Sequence, residues 1–317
     1  MIAVLAGGVG AARLLTGMVR VVPPETITAI VNVGDDLELH GLHVSPDIDT
    51  VVYTVAGAVD VERGWGLQDE SWRVMDALER YRGETWFRLG DRDLATHLYR
   101  TQRMRDGAPL ATVTAEIAAA WGLALRIVPV TNDRLRTMIS LRTAGESWVS
   151  NGPTEIEFQD YFVRRAHAVP ITTVRYEGEA DAVPAPGVLD ALDTASKVVI
   201  APSNPIVSIG PLLAVPGMRR AVEKRRDDVV AVSPIVGGRA LRGPADRMMS
   251  ELGYEPSVVG IARLYAPLAG TLVIDTTDAN AAGDVDGLGV HCIVTDTIMR
   301  DPVSAAALCG VVVGQQP

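Results

Sequence analysis

The sequence predicts an α/β fold, a Rossmann-like doubly wound and mostly parallel sheet, and three observations carry that expectation. First, short apolar runs stop abruptly in polar, Gly- or Pro-rich loops. Residues 2–6 end at Gly7-Gly8-Val9-Gly10, 27–33 at Gly34-Asp35-Asp36, 197–201 at Pro202-Ser203-Asn204-Pro205, and 229–232 at Ser233-Pro234. Second, the stretch AARLLTGMVRVV between the first two runs has helical spacing, which gives a strand, helix, strand opening. Third, 30 Gly and 19 Pro stand against three Phe, so loops are many and the core must be built from Val, Leu, Ile and Ala.

The pattern changes between about residues 60 and 170. SWRVMDALERY, DLATHLYRTQRMRDG and APLATVTAEIAAAWG place apolar residues at helical spacing and read as a helical insertion covering the sheet. LRIVPVT, TMISLRT, SWVSN and the later ITTVRYE read as strands or hairpins of a small β subdomain. No long linker, charge block or repeat divides the chain, so residues 1–317 are expected to form one α/β domain carrying this insertion.

With 29 Lys+Arg against 39 Asp+Glu the net charge is −10, which argues against nucleic acid or an anionic membrane as partner. No apolar run approaches the ~18 residues of a membrane span. Cys292 and Cys309 show neither CxxC spacing nor a His cluster nearby. That pattern suits reduced thiols and a cytoplasmic protein. A homodimer is the expected assembly only because two-fold closure is commonest.

Five segments hold candidate chemistry. Gly7-Gly8-Val9-Gly10 sits between strand and helix, where glycines allow close approach and helix N–H groups face a phosphate. It is not a complete GxGxxG, since position 13 is Arg, and a tight turn alone also explains it. Asp35, Asp36, Asp47 and Asp49 crowd two loops beside apolar runs, as a Mg²⁺ site requires, although Asp35 or Asp47 could equally cap a turn or helix. Gly90-Asp91-Arg92-Asp93 opens a helix, either offering Arg92 to an anion or serving as a cap, with His97 read as a packed histidine. Residues 201–211 and 233–238 concentrate Ser, Asn and Gly at strand ends, a setting suited to phosphate or ribose. No Ser-His-Asp order, GxSxG or HExxH is present, which disfavours covalent and zinc-hydrolase mechanisms.

The ordered set GGVGAARLL, VNVGDD, HGLHVSPDIDTVVY, RGWG, RLGDRDLATH, APSNPIVSIGPLL, SPIVGGRALRGPADRMM and TDTIMRD resembles the 2-phospho-L-lactate transferase family of coenzyme F-420 biosynthesis, whose actinobacterial members are phosphoenolpyruvate transferases. The resemblance spans residues 2 to about 301. It implies Mg²⁺-dependent transfer of a phospholactyl, phosphoenolpyruvyl or phosphoglyceryl group from a guanosine diphosphate donor to the ribityl hydroxyl of the deazaflavin Fo, with GMP released. It also implies roles. Asp35, Asp36 and Asp49 would hold the metal, with Asp36 and Asp49 catalytic. Asp49 and Arg92 would contact the deazaflavin. Gly8, Val9, Gly10, Ser203, Asn204, Ser208, Gly237 and Gly238 would serve the nucleotide and its phosphates.

Two other classes compete. Nucleotide-sugar-binding regulators share the opening glycine loop but are expected to carry a Gly/Ser-rich segment where this chain has LELHGLHVSPDIDT. A Rossmann dehydrogenase needs the third glycine that is missing here.

Overall fold

The computed structural model describes residues 1–142 and 155–314. From the N-terminus, β1 (Ile2–Ala6) leads through Gly7 into α1 (Gly8–Val21), then β2 (Ile27–Val31), the hairpin β3 (Leu37–Leu39) and β4 (Leu42–Val44), and α2 (Pro46–Val55). Helices α3 (Arg73–Arg80), α4 (Asp93–Arg105) and α5 (Leu110–Ala120) follow, then β5 (Arg126–Pro129) and the antiparallel trio β6 (Arg136–Leu141), β7 (Glu155–Glu157) and β8 (Ile171–Glu177). The rest runs α6 (Val188–Thr194), β9 (Lys197–Ile200), α7 (Ile209–Ala214), α8 (Met218–Lys224), β10 (Val229–Val232), the hairpin β11 (Ile235–Val236) and β12 (Arg239–Ala240), α9 (Ala245–Glu251), α10 (Val258–Tyr265), β13 (Thr271–Asp275), α11 (Ala282–Asp286), β14 (His291–Thr295) and α12 (Pro302–Val313).

Seven strands form one sheet in the order β14-β13-β10-β9-β1-β2-β5, and every neighbouring pair is parallel. The central strands are buried along their whole length, which is why their sequences run continuously apolar instead of alternating. The fold is the expected Rossmann-like α/β sheet. Gly17 on α1 faces α12 so closely that an added Cβ would overlap the Ala305 backbone, and the two helices pack as a pair on one face.

One assignment changes. The segment LRIVPVT, read as part of a small β subdomain, supplies β5 at the edge of the main sheet, where it pairs with β2. Local periodicity marks a strand but not its partner; here the β3–β4 hairpin and α2 to α5 form the crossover that brings it back parallel to β2. TMISLRT and ITTVRYE do form the separate small sheet, whose Ile139, Leu141 and Ile171 join the main core. SWVSN lies outside the described residues.

Candidate active site

The chain leaves β1 for β2 and then β5 on one side, and returns to β9 on the other side of β1. The crevice at the carboxyl ends of β1 and β9 is therefore the topological switch point where open α/β sheets bind ligands. A cavity of about 620 Å³ opens there, lined by Gly7 to Gly10, by Asp35, by the first turn of α2, and by the loops after β9 and β10.

The β1–α1 turn fits its glycines for steric reasons. Gly8 has a φ of +67°, and a Cβ on Gly7 would come within 2.7 Å of Ser208 Cβ and 3.1 Å of an Asp47 oxygen. A Cβ on Gly10 would overlap the Pro202 carbonyl oxygen, so that glycine sets how closely α1 meets the β9 loop. The same loops are stitched by the Ser203 hydroxyl, which donates to the Gly7 carbonyl at 2.7 Å. Asn204 folds its own loop, its Oδ1 accepting from the Ile206 N–H at 2.9 Å. Gly8, Val9, Gly10, Ser203, Asn204 and Ser208 all line the cavity.

Asp35 and Asp47 meet at its floor. Asn32 Nδ2 donates to Asp47 Oδ2 at 2.9 Å, and the Gly8 N–H donates to the same carboxylate. Burial, with Asp36 nearby, nevertheless pushes the Asp47 pKa up to about 7. Burial, and then the charge of Asp47, raise Asp35 well above the usual carboxylate range, and its Oδ1 is buried without a hydrogen-bond partner. Neither carboxylate has an Arg, Lys or His within ion-pair distance among the described residues.

Asp49, two positions along α2, is differently placed. Both its oxygens accept from the buried Arg100 guanidinium, one at 3.1 Å and the other more closely. Arg100 also donates to His97 Nδ1 at 3.2 Å, which fixes the tautomer with the proton on Nε2, 3.2 Å from Asp93 Oδ2. Tyr53 completes the cluster by donating to Asp93 Oδ1 at 2.7 Å. Asp49, Asp93 and His97 present ligand atoms within 4.8 Å of one another, yet Arg100 already neutralises Asp49.

Four expected site residues lie elsewhere. Asp36 is outside the main cavity, in a small adjoining pocket, where its Oδ2 accepts from the Ser45 hydroxyl at 2.7 Å and lies 2.9 Å from His43 Nε2. Arg92 is exposed; its guanidinium donates to the Gln68 carbonyl at 2.8 Å. The surrounding GDRD motif is a capping device, with Glu70 accepting the N–H groups of Arg92 and Asp93 while Asp91 accepts those of Arg73 and Val74. Gly237 and Gly238, at φ +58° and +74°, form the two-residue turn of the β11–β12 hairpin, where positive φ at both positions selects glycine.

Other cavity residues carry little signal in sequence. All three Phe of the chain, Phe87, Phe158 and Phe162, line the cavity, as does Trp65. Arg13, Arg63, Arg88 and Arg242 do as well. The quoted motifs already contained Arg13, Arg63, Trp65, Arg88 and Arg242, and around Trp65 the glycines Gly64 and Gly66 are both at positive φ.

A family profile described as 2-phospho-L-lactate transferase CofD matches residues 2–287. The chain belongs to that family. Among curated relatives, a phosphoenolpyruvate transferase of Streptomyces griseus is 42% identical over 309 residues, covering 97% of this chain and 95% of the relative. One from Streptomyces coelicolor is also 42% identical, over 95% of this chain and 93% of its own. One from Mycolicibacterium smegmatis is 37% identical, over 97% and 96%. Membership makes the chain a transferase. Two crystal structures of a UPF0052-family protein from Bacillus halodurans cover 98% of both chains with TM-scores of 0.60 and 0.61 at 16% identity, a likeness of fold.

Proposed function

We propose that the chain transfers a phosphorylated three-carbon acid group from a guanosine diphosphate donor to the terminal ribityl hydroxyl of the deazaflavin Fo, in coenzyme F-420 biosynthesis, with Mg²⁺ as cofactor. The observation that carries this reading is the composition of the cavity wall: uncompensated carboxylates at the floor, arginines at the walls, and every Phe of an aromatic-poor chain around the same space. In the transfer, the hydroxyl oxygen loses its proton to solvent and bonds to the phosphorus bearing the acid, the bond from that phosphorus to the bridging oxygen breaks, and GMP leaves with the bridging oxygen. Such a reaction depends on positioning and charge neutralisation more than on a covalent intermediate.

Asp35 and Asp47 suit a divalent cation, because an orphaned carboxylate oxygen and two mutually repelling buried carboxylates gain most from one. When bound, the ion would supply charge neutralisation at the donor's phosphates. Asp49 takes a different role in this reading. With its oxygens committed to Arg100, it holds that cation and through it His97, instead of binding metal or taking a proton. Phe87, Phe158, Phe162 and Trp65 offer flat apolar faces to a tricyclic acceptor. The names of the relatives favour phosphoenolpyruvate as the acid transferred.

The test is to incubate Fo and Mg²⁺ with each of the three guanylylated acids and identify products by mass. The expected result is a phosphodiester of Fo with the enolpyruvyl donor in the lead and stoichiometric GMP. No product with any of the three sinks the reading.

A further inference from the structure

Four arginines line the cavity, and two are neutralised. Arg63 Nη2 lies 3.0 Å from Asp60 Oδ2, and Arg88 Nη2 lies 3.1 Å from Asp76 Oδ1. Arg13 and Arg242 have no carboxylate within ion-pair distance among the described residues. The hydrogen bond that Arg13 makes is a long one, 3.4 Å to the Met299 carbonyl. The two side chains come from different parts of the wall, Arg13 from α1 beyond the glycine turn and Arg242 from the loop between β12 and α9. The Arg242 guanidinium lies across Gly64, where a Cβ would overlap its Nη1, so it spans two loops beside the cavity. Burial lowers the Arg13 pKa, and the charge of Arg242 lowers it further. Arg13 is half-buried and Arg242 exposed, and like charges on one cavity wall repel unless an anion sits between them.

We infer that Arg13 and Arg242 form a two-armed clamp for a phosphate of the nucleotide-linked donor. That the anion belongs to a guanine nucleotide rests on the transferase reading; the anion site itself does not. Guanidinium forks suit the task, since each can donate two parallel hydrogen bonds to phosphate oxygens.

The test uses the full-length protein with Arg13→Gln, Arg242→Gln and the double variant, titrated without Mg²⁺ with inorganic pyrophosphate, GDP and guanosine by calorimetry, and melted with and without pyrophosphate. The expected result is wild-type binding of pyrophosphate and GDP, weakened about tenfold by each single change, as loss of a charged hydrogen-bonding group predicts. Guanosine binding stays unchanged. The double variant loses less than the product of the two singles, because either change alone already relieves the repulsion in the free protein. Without ligand the single variants melt at or above the wild-type temperature; with pyrophosphate they melt below it. A merely structural pair would lower both melts. No pyrophosphate binding by the wild type, variant affinities within twofold of wild type, or variants that melt lower without ligand would each overturn the clamp. If pyrophosphate binding depends on both arginines while GDP and guanosine do not bind at all, the clamp stands and the transferase reading falls.

Discussion

Asp47 and Asp49 sit on the same turn of α2, are both buried and line the same cavity, yet they stand in opposite electrostatic conditions. Two residues apart on a helix point about 200° from each other. Asp47 therefore faces the strand ends, where Asn32, Gly8 and Asp35 surround it, and Asp49 faces α4, where Arg100 encloses it. One carboxylate is left with charge to spare and the other is spent on a protein cation. Burial alone does not mark a functional group; burial without a counter-charge does.

The comparison breaks most visibly at Arg100. Replacing it with Ala leaves Asp49 buried without its cation, and the expected loss is about 3–5 kcal/mol of stability in urea unfolding. The pair Asp49→Asn with Arg100→Met should recover much of that loss. If Arg100→Ala melts like the wild type, the α2–α4 network is not structural.

Asp47→Asn should do the reverse, lowering the transfer rate on the order of 10²- to 10³-fold while leaving the metal-free melting temperature unchanged or higher. Mg²⁺ should raise the melting temperature of the wild type and not of this variant. A normal Mg²⁺ response in the variant would remove Asp47 from the metal site.

The pH dependence sharpens the same contrast. Folded Asp47 keeps its proton up to about pH 7, whereas the unfolded side chain releases it near the ordinary value of 3.8. The folded state thus binds more protons across that window, so this group's contribution falls as pH rises, by at most about 1.4 kcal/mol per pH unit. Urea midpoints at pH 5, 6 and 7 should show a slope that flattens in Asp47→Asn or in saturating Mg²⁺; an unchanged slope in both refutes the assignment.

The smallest effect belongs to a carboxylate near the surface. Asp91 accepts three hydrogen bonds, from the Ser71 hydroxyl and the Arg73 and Val74 N–H groups. Because water competes there, Asp91→Ala should cost only about 1 kcal/mol, the ordinary value of a helix cap. A loss as large as that of Arg100→Ala would mean that burial is not what separates the two cases.

Much of the fold was legible because burial on both faces writes itself into sequence as unbroken apolar runs, as in IAVLA and VVAV. The placement of β5 was not, since a strand of four residues carries no mark of which neighbour it will join. Within the site, the glycine turn and the acidic loops could be found by spacing. Which acid is free, and where Arg92 points, could not. Motif position fixes the backbone location, while the side chain's partners come from distant segments: Glu70 and Gln68 for the Arg92 region, and α4 for Asp49.

The sequence by itself determined the α/β class, the strand ends that line the cavity, the family, and the stock of carboxylates available for chemistry. Only the tertiary structure decided which of these carboxylates meets a cation of the protein and which meets none. Charge compensation depends on distances of a few ångströms between residues such as Asp49 and Arg100, 51 positions apart in the chain, and no local pattern encodes that separation.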